Sequence, residues 1–362
     1  MNRIIEERKL NKKKVLIVLI IFITIIFLIC FSIYRKKEEE WNNIDVSNAT
    51  HAIIMEKNTA FYRKPTLSKW RLISNLELGE NIYIIEEYKD ENEKYWYKIK
   101  ANNKVGYIEK EKANWYEFDK NSEISLMTDV SKFNFQNKNF KNQNEFAAFL
   151  LKYNINYVYI RIGGRGYGEE GNFYTDPDFQ KFIDECEFLG IPYGFYYIDE
   201  AINEEEIDEE VKFIEDFLNK NKTKMCLLPL AIDVEDHDGK GRAKDLWEDR
   251  AELVSTLISK FAEKNIETIL YTNAQIANEY LYPINTNFWV AYYDLKNEIP
   301  NNWFSDTDQE AAQNEELINK IIGWQFTETG IEKDTKYEVD FSIVKNEFFK
   351  KYLENKMEEK WN

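Results

Sequence analysis

Two carboxylates, Asp233 and Glu235, follow an apolar run in the stretch LLPLAIDVEDHDG, Leu227 to Gly239. Such a run is typical of a buried strand, and residues i and i+2 of a strand share a face. Their Cα atoms should then lie about 6–7 Å apart. Two carboxyls beside apolar neighbours can acquire different pKa values, so that one stays protonated while the other stays ionised. That division suits hydrolysis of a glycosidic bond, although a calcium site or a solvated strand end would use the same spacing.

The D-x-E spacing occurs twice more in this half of the chain. Asp208 and Glu210 lie in the acidic helical pattern IDEEV, and Asp308 and Glu310 lie in the polar segment SDTDQE. We expect these four side chains to be solvated surface acids. Of the three pairs, only Asp233 and Glu235 follow a predicted strand.

Further acids and aromatic residues lie at or near the ends of predicted strands. They are Asp129, Tyr196, Tyr197, Tyr271, Tyr292, Trp324, Gln325 and Asp340. In a barrel, residues at the carboxyl ends of the strands converge on one face. Sugar rings stack on aromatic side chains, and sugar hydroxyls bond to acids and amides. The pattern therefore favours a carbohydrate cleft, while each aromatic taken singly is equally compatible with a place in the core.

The elements that would position these residues alternate between two periodicities. Eight strand patterns follow Glu123, namely ISLMTDV, NYVYIRI, PYGFYYI, LLPLAIDVE, IETILYT, FWVAYY, IIGWQF and YEVDFS. Helical patterns separate the early ones, namely NEFAAFLLKY, DPDFQKFIDECEFLG, EEEIDEEVKFIEDFLNK and KDLWEDRAELVSTLISKFAEK. The alternation predicts an α/β fold, an irregular TIM-like β/α barrel over residues 123–355. The later connections are less helical, which is why we expect irregularity.

Residues 49–118 show short strands and turns without helical periodicity. The segment YWYKIK alternates in the manner of a half-buried strand. Together with TAFYRKPTLSKWRLISNLELGENIYII and KVGYIE, it resembles the bacterial SH3-like domain. That resemblance implies a small all-β barrel that binds cell-wall peptide or the wall itself. A structural spacer is the alternative.

The N-terminus has the character of a membrane anchor. Residues 15–34 read VLIVLIIFITIIFLICFSIY, twenty residues without a charge, which is long enough to span a bilayer as a helix. Residues 1–37 carry nine Lys and Arg against two Glu, so the positive-inside rule predicts a cytoplasmic basic tail at 1–14 and an extracellular remainder. Residues 35–48 are predicted to be a linker. Ile29 stands where a lipoprotein signal has a small residue, which argues against lipidation of Cys30.

Composition excludes several classes of function. The formal net charge of −17 over 362 residues argues against nucleic-acid binding through a basic face. With only His51 and His237, a histidine-cluster metal site is not expected. No CxxC spacing occurs, and Cys186 and Cys226 are the only possible intradomain pair.

The motifs between residues 124 and 345 occur in the order that is typical of a known family. Residues 124–345 resemble glycoside hydrolase family 25, the muramidases that include the Chalaropsis-type lysozymes. The resemblance rests on DVS at 129–131, YVYIRIGGRGYGEEGNFYTDPDFQKFIDECEFLGIPYGFYYIDEA, LPLAIDVED, ILYTN, FWVAYY, WQFTETG and VDFS, in this order. It implies cleavage of the β-1,4 bond between N-acetylmuramic acid and N-acetylglucosamine in peptidoglycan, without a metal or organic cofactor.

The resemblance also implies roles for individual residues. Glu235 matches the general acid, and Asp233 matches its partner carboxylate, which assists the substrate acetamido group or acts as nucleophile. Asp129 and Asp340 match two further active-site aspartates. The aromatic residues expected to line the sugar cleft are Tyr196, Tyr271, Tyr292 and Trp324.

Two departures from the family pattern concern the rims of the cleft. KFNFQNKNF follows the first-strand DVS where the family often has Gln-Gly, and DHDGKGRAKDLW follows Glu235. Neither removes a carboxylate. Two classes of function therefore stand, a membrane-tethered muramidase for local wall remodelling and a non-catalytic scaffold that grips wall glycan. The four acids favour the enzyme, and their convergence on one groove would distinguish the two.

Overall fold

The computed structural model describes residues 2–118, 121–237, 239–293, 298–300, 303, 314–331 and 337–358. The strands in chain order are β1 (Thr50–Ile54), β2 (Thr59–Tyr62), β3 (Leu72–Leu76), β4 (Asn81–Lys89), β5 (Tyr95–Ala101), β6 (Lys104–Glu109), β7 (Ala113–Asn114), β8 (Ile124–Val130), β9 (Ile155–Arg165), β10 (Phe173–Thr175), β11 (Tyr193–Ile198), β12 (Leu230–Asp233), β13 (Thr268–Asn273), β14 (Phe288–Ala291), β15 (Ile321–Thr327) and β16 (Phe341–Lys345).

The helices are α1 (Asn2–Asn42), α2 (Lys132–Gln136), α3 (Gln143–Lys152), α4 (Phe179–Leu189), α5 (Glu204–Asn221), α6 (Trp247–Glu263), α7 (Ala274–Ile276), α8 (Glu315–Lys320) and α9 (Asn346–Glu358). A π-helical turn, Ala277–Leu281, follows α7. Local sequence explains several helix ends. The Asn203 side chain accepts a hydrogen bond from the Glu206 amide at the start of α5, and Gly190 ends α4 in the left-handed conformation.

The chain forms two compact units. The first comprises Met1–Thr50, Asn58–Leu76 and Ile82–Lys112. Its strands form a curled antiparallel sheet in the order β3-β2-β6-β5-β4. The core contains Phe61, Ile82, Trp96 and Ile99, all almost completely buried.

The apolar helix α1 continues beyond the predicted end of the span at Tyr34 and ends at Asn42. Its last turn is bonded to β6, because the Trp41 indole donates to the Val105 carbonyl (3.0 Å) and the Val105 amide donates to Asn42 Oδ1 (2.9 Å). The first part of the predicted linker is therefore helical and fixed to the sheet. Lys14–Asn42 is long and apolar enough to cross a membrane, a property that anchors share with signal sequences.

The second unit comprises His51–Lys57, Glu77–Asn81 and Ala113–Asn362. An eight-stranded sheet in the order β9-β11-β12-β13-β14-β15-β16-β8 closes into a barrel through pairing of β8 with β9. Neighbouring strands are parallel from β8 through β15, whereas β16 is antiparallel to both of its neighbours. This antiparallel strand is the irregularity of the barrel. β10 extends the sheet from β9, and β1 pairs with β7.

Each of the eight strands and four helices predicted for this part of the sequence is present. The last strand begins later than predicted, at Phe341, so Asp340 precedes it. Cys186 and Cys226 are both buried and are not joined by a disulfide.

Alternation along the strands separates two apolar layers. Ile269 and Tyr271 of β13 belong to a cluster with Tyr159 and Trp289, whereas Leu270 between them packs in the larger cluster that contains helix residues such as Phe261. One cluster fills the barrel and the other lies between the barrel and its helices. Side chains that share the inward face near the carboxyl ends of the strands are therefore directed to the barrel mouth.

A buried arginine fixes α6 to the segment that follows β11. Arg250 is 1% exposed and donates to the Asp199 carboxylate (2.9 Å), the Asp199 carbonyl (2.8 Å) and the Ala201 carbonyl. Arg250→Met should lower the free energy of unfolding by about 3–5 kcal/mol, because it leaves the buried Asp199 charge without its partner. Denaturant unfolding at neutral pH measures this.

Lys260 on the same helix provides the matched control. It pairs with Asp208 at 2.6 Å, but the two side chains are 31% and 64% exposed. Lys260→Met should change the free energy of unfolding by less than about 1 kcal/mol. Equal losses in the two variants would show that the buried ion pair has no special structural role.

Candidate active site

The barrel mouth opens into a cleft of about 1010 Å³. Seven of the eight residues expected in the site line it, namely Asp129, Tyr196, Asp233, Glu235, Tyr271, Tyr292 and Asp340. Asp340 reaches the mouth because β16 runs antiparallel, so the start of this strand lies where the neighbouring strands end. The four carboxylates, which come from three separate parts of the chain, therefore converge on one open groove.

Asp233 and Glu235 occupy different depths of this groove. Asp233 ends β12 and is 6% exposed, whereas the side chain of Glu235, two residues beyond, is 27% exposed. Asp233 Oδ1 is buried and has no hydrogen-bond partner among the described residues. A buried acceptor without a partner is costly in a folded protein. Asp233 itself lines the cleft.

Gln325 organises the floor beside this pair. Its side-chain amide donates to Asp129 Oδ1 (3.0 Å), and its carbonyl oxygen accepts from the hydroxyls of Tyr271 and Tyr293 (both 2.8 Å). The bonds orient the amide, because its nitrogen can only donate and its oxygen can only accept. Asp129 is thereby held in place by a residue 196 positions away in the sequence.

Burial dominates the electrostatics of the three aspartates. It raises the pKa of Asp129 to about 7, although the Gln325 hydrogen bond and the Arg161 charge oppose the shift. Burial also raises the pKa of Asp233 well above its usual range, and the charges of Glu235 and Asp129 raise it further. The pKa of Asp340 is raised by burial and by the Asp129 charge. The three buried aspartates therefore keep their protons to a higher pH than ordinary aspartates do.

A buried arginine, Arg161, opposes the rise in the pKa values of two of these aspartates. Arg161 on β9 donates to Asp176 Oδ2 through Nε (3.0 Å) and Nη2 (2.9 Å). Its positive charge lowers the pKa values of both Asp129 and Asp233. Asp176 also accepts the backbone amides of Lys132 and Asp178, so the ion pair is held from several sides. The arginine therefore favours ionisation of the aspartates against the effect of burial.

His237 contacts the more exposed acid and was not predicted to lie in the site. Its Nδ1 lies 3.9 Å from Glu235 Oε2, and its Nε2 lies 3.3 Å from Glu200 Oε1. The imidazole stacks on Tyr167, with ring centroids 4.7 Å apart. A sequence signal was present, since His237 lies two residues after Glu235 at the same spacing that relates Asp233 to Glu235.

The prediction that Trp324 lines the cleft is wrong. Trp324 is 3% exposed, belongs to the apolar layer between barrel and helices, and donates its indole N–H to the Tyr292 carbonyl (2.6 Å). Gln325, the next residue in the strand, faces the barrel interior instead. The Phe, Tyr and Trp residues that line the cleft without having been predicted are Phe133, Tyr167, Trp289 and Tyr293.

The expectation for the other D-x-E pairs holds only in part. Asp208 is a surface acid paired with Lys260, but Glu210 is fully buried and accepts a hydrogen bond from Arg165 Nε (3.0 Å). Asp308 and Glu310 lie outside the described residues. Within the part of the chain that the structure describes, no three His, Cys, Asp or Glu side chains are arranged to hold a metal ion.

A closed barrel whose mouth gathers several carboxylates is an arrangement that glycoside hydrolases use. Residues 128–335 match the model of glycosyl hydrolases family 25, which is more than half of the 362-residue chain. The protein therefore belongs to this family. No match is found among curated proteins.

Solved structures similar to this chain include lysozymes, endolysins and autolysins. The spore cortex lytic enzyme SleM of Clostridium perfringens is 21% identical, with 63% of this chain and 69% of that chain covered and a TM-score of 0.47. A family 25 glycosyl hydrolase of Bacillus anthracis is 17% identical, with coverages of 64% and 93% and a TM-score of 0.42. The autolysin LytC of Streptococcus pneumoniae, in complex with a synthetic peptidoglycan ligand, is 17% identical, with coverages of 73% and 69% and a TM-score of 0.44.

Proposed function

We propose that the protein is a membrane-anchored muramidase that cleaves the β-1,4 bond between N-acetylmuramic acid and N-acetylglucosamine in peptidoglycan. The observation that carries this proposal is the convergence of Asp129, Asp233, Glu235 and Asp340 on one open groove. A scaffold that only grips glycan has no need to gather four carboxylates against their mutual repulsion and their cost of burial. Tyr196, Tyr271 and Tyr292 are the proposed contacts for sugar rings.

The depths of the two central acids support a division of roles. Glu235, the more exposed, is the proposed general acid that protonates the glycosidic oxygen as the bond to the anomeric carbon breaks. The proton passes from Glu235 to that oxygen, while the positive charge that develops on the sugar favours the ionised form of Asp233 beside it. The Asp233 carboxylate, whose Oδ1 has no partner among the described residues, would accept the acetamido N–H or attack the anomeric carbon.

The proposed placement puts the barrel outside the cell. Residues 15–34 would cross the membrane once, with the basic tail 1–14 in the cytoplasm and both units facing the wall. We also propose that the curled sheet is an SH3-like domain that binds wall peptide, and that the barrel is an irregular TIM-like barrel. A tether of this kind limits reach, so local remodelling of the wall suits the protein better than bulk lysis.

Mass spectrometry of purified peptidoglycan digested by residues 49–362 tests the proposed activity. New reducing ends on N-acetylmuramic acid are the expected result. Reducing ends on N-acetylglucosamine would instead identify a glucosaminidase on the same barrel. A digest without new ends, in which the protein pellets with the wall, would refute the enzyme and support the glycan-binding scaffold.

A further inference from the structure

The connection from β2 into β3 exposes an unusual set of side chains. We call residues 63–72 the Trp70 loop. Trp70 is 96% exposed, Leu67 57% and Leu72 43%. Lys64, Lys69 and Arg71 are also exposed. Exposed aromatic and aliphatic side chains interspersed with basic ones are the composition of surfaces that lie in a membrane interface.

Charge distinguishes this loop from the rest of the region beyond the apolar helix. Residues 1–37 carry a net charge of +7, so the remaining residues carry −24. Residues 57–76 nevertheless contain five Lys and Arg and no Asp or Glu. An anionic lipid surface would repel most of this acidic polypeptide and attract the Trp70 loop.

The base of the loop is tied to α1 at the point where the apolar span ends. Arg63 Nη2 donates to Glu38 Oε1 at 2.8 Å, and Arg63 also interacts with the Tyr34 side chain. The Arg63 amide donates to the Arg71 carbonyl at 2.7 Å, which closes the loop at its other end. The uncharged run of α1 ends at Tyr34, so these contacts place the loop beside the last turn of the span.

The helix cannot swing freely away from the sheet. Besides the bonds of Trp41 and Asn42 to Val105, Lys98 Nζ lies 5.2 Å from the centroid of the Trp41 ring. At 1.5 Å per residue, Tyr34 and Asn42 are about 12 Å apart along the helix. The polar interface of a bilayer is about 5–8 Å thick on each side. Glu38, which bonds to Arg63, lies only about 6 Å beyond Tyr34, so the contacts between α1 and the sheet begin within about one interface thickness of the hydrocarbon boundary.

We propose that the Trp70 loop binds the outer surface of the membrane that α1 spans, with Trp70, Leu67 and Leu72 at the level of the lipid headgroups and the basic side chains on anionic phosphates. This inference rests on the proposed membrane anchoring. Together, α1 and the loop would give the first unit two attachments to one bilayer. Two attachments fix its orientation, whereas one helix alone would allow rotation about its axis.

A fluorophore at position 68 tests the contact in the full chain. The protein carries Cys30→Ser to remove the exposed thiol, since Cys186 and Cys226 are buried. Ser68→Cys is labelled with an environment-sensitive dye, and the protein is reconstituted into vesicles of phosphatidylcholine and phosphatidylglycerol that contain headgroup-level quencher lipids. We expect a blue shift and loss of most of the emission. Trp70→Ala combined with Leu67→Ala should restore it.

Asn92→Cys is the matched control. It lies in the turn between β4 and β5, and Trp96, just after this turn, pairs with Glu109 at the end of β6. Tyr62, just before the Trp70 loop, pairs with Tyr107, and because β2 is antiparallel to β6 the chain continues from there towards the start of β6. The turn and the loop are therefore at opposite ends of the sheet. Its dye should be neither shifted nor quenched. Equal emission from the two labelled positions would overturn the loop contact.

Extraction of the same vesicles at alkaline pH distinguishes a failure of the loop contact from a failure of the anchor. A chain that is released was not anchored, and both proposals then fail. A chain that is retained, with an unquenched dye at position 68, leaves the anchor intact and refutes only the loop contact. A dye that responds to added peptidoglycan fragments and not to quencher lipids would make the loop a wall-binding surface and also overturn the inference.

Discussion

Glu235→Gln is expected to lower the rate of glycan cleavage by roughly 10²–10⁴-fold, the usual contribution of a positioned general acid. Glutamine keeps the shape of the side chain and can hydrogen bond, but it has no proton to give to the glycosidic oxygen. The Glu235 side chain is 27% exposed, so the change should leave stability almost unaltered. Release of reducing ends from purified peptidoglycan measures the rate, while thermal unfolding and pelleting with the wall measure folding and binding.

Asp236→Asn is the control for this experiment. Asp236 lines the same cleft, is exposed, and loses the same charge when replaced by asparagine. It should retain nearly the full rate, because the proposed chemistry does not use it. Cleavage by Glu235→Gln at the wild-type rate would show that another group supplies the proton. An equal loss in both variants would indicate a general effect of charge in the cleft.

The central pair was accessible from sequence because strand periodicity is local information. Once Leu230–Asp233 is recognised as a strand, the two-residue period places Asp233 on the inward face, and Glu235 continues in the same direction. The same reasoning located Asp129 at the end of β8. Asp340 was expected inside the last strand, but that strand begins at Phe341, directly after it. Asp340 still lies at the mouth because β16 runs antiparallel to its neighbours.

The wrong prediction for Trp324 shows the limit of prediction from strand periodicity. A one-residue error in facing moves a side chain from the cleft to the outer layer. The pairing of β14 with β15 shifts register between Phe288 and Trp289, and such an irregularity cannot be read from the composition of either strand. Trp324 and Gln325 were both recognised at a strand end, but only the folded barrel shows that the glutamine faces inward.

Contacts between residues far apart in the sequence explain the remaining differences between the predictions and the structure. Glu210 appears in the sequence as one acid among many on an amphipathic helix, and its burial depends on Arg165, 45 residues earlier. Similarly, RKKEEEWN at 35–42 has the polarity of a linker. It is helical up to Asn42, where contacts with β6 stabilise its end. In both cases the partner lies too far along the chain for a local pattern to reveal it.

The second large effect that we expect is on the stability of the fold, which should depend on pH because of the buried aspartates. The pKa of Asp129 is about 7 in the folded protein against a usual value of 3.8, so between these values the folded state holds a proton that the unfolded state has lost. Stability contributed by this group is therefore greatest below about pH 4 and falls as pH rises towards 7. Asp233 and Asp340, whose pKa values are also raised, extend the fall to higher pH.

Asp129→Asn should consequently stabilise the protein at pH 8 while impairing cleavage. The difference between about 7 and 3.8 corresponds to at most about 4 kcal/mol. Asparagine keeps an acceptor for the Gln325 amide, so the hydrogen bond at that oxygen need not be lost. Urea unfolding of variant and wild type at pH 4, 6 and 8 should show curves that coincide at the lowest pH and separate as pH rises.

Asp216→Asn, on the exposed face of α5, controls for loss of negative charge and should give curves that follow the wild type at every pH. A variant at Asp129 that is less stable than wild type at pH 8 would mean that the ionised aspartate is well solvated in the folded protein. The expected pattern would instead show that the cleft retains its acids at a cost in stability, as functional sites commonly do. Since Asp129→Asn also removes a charge that raises the pKa values of Asp233 and Asp340, any residual activity should have a pH profile displaced towards acid.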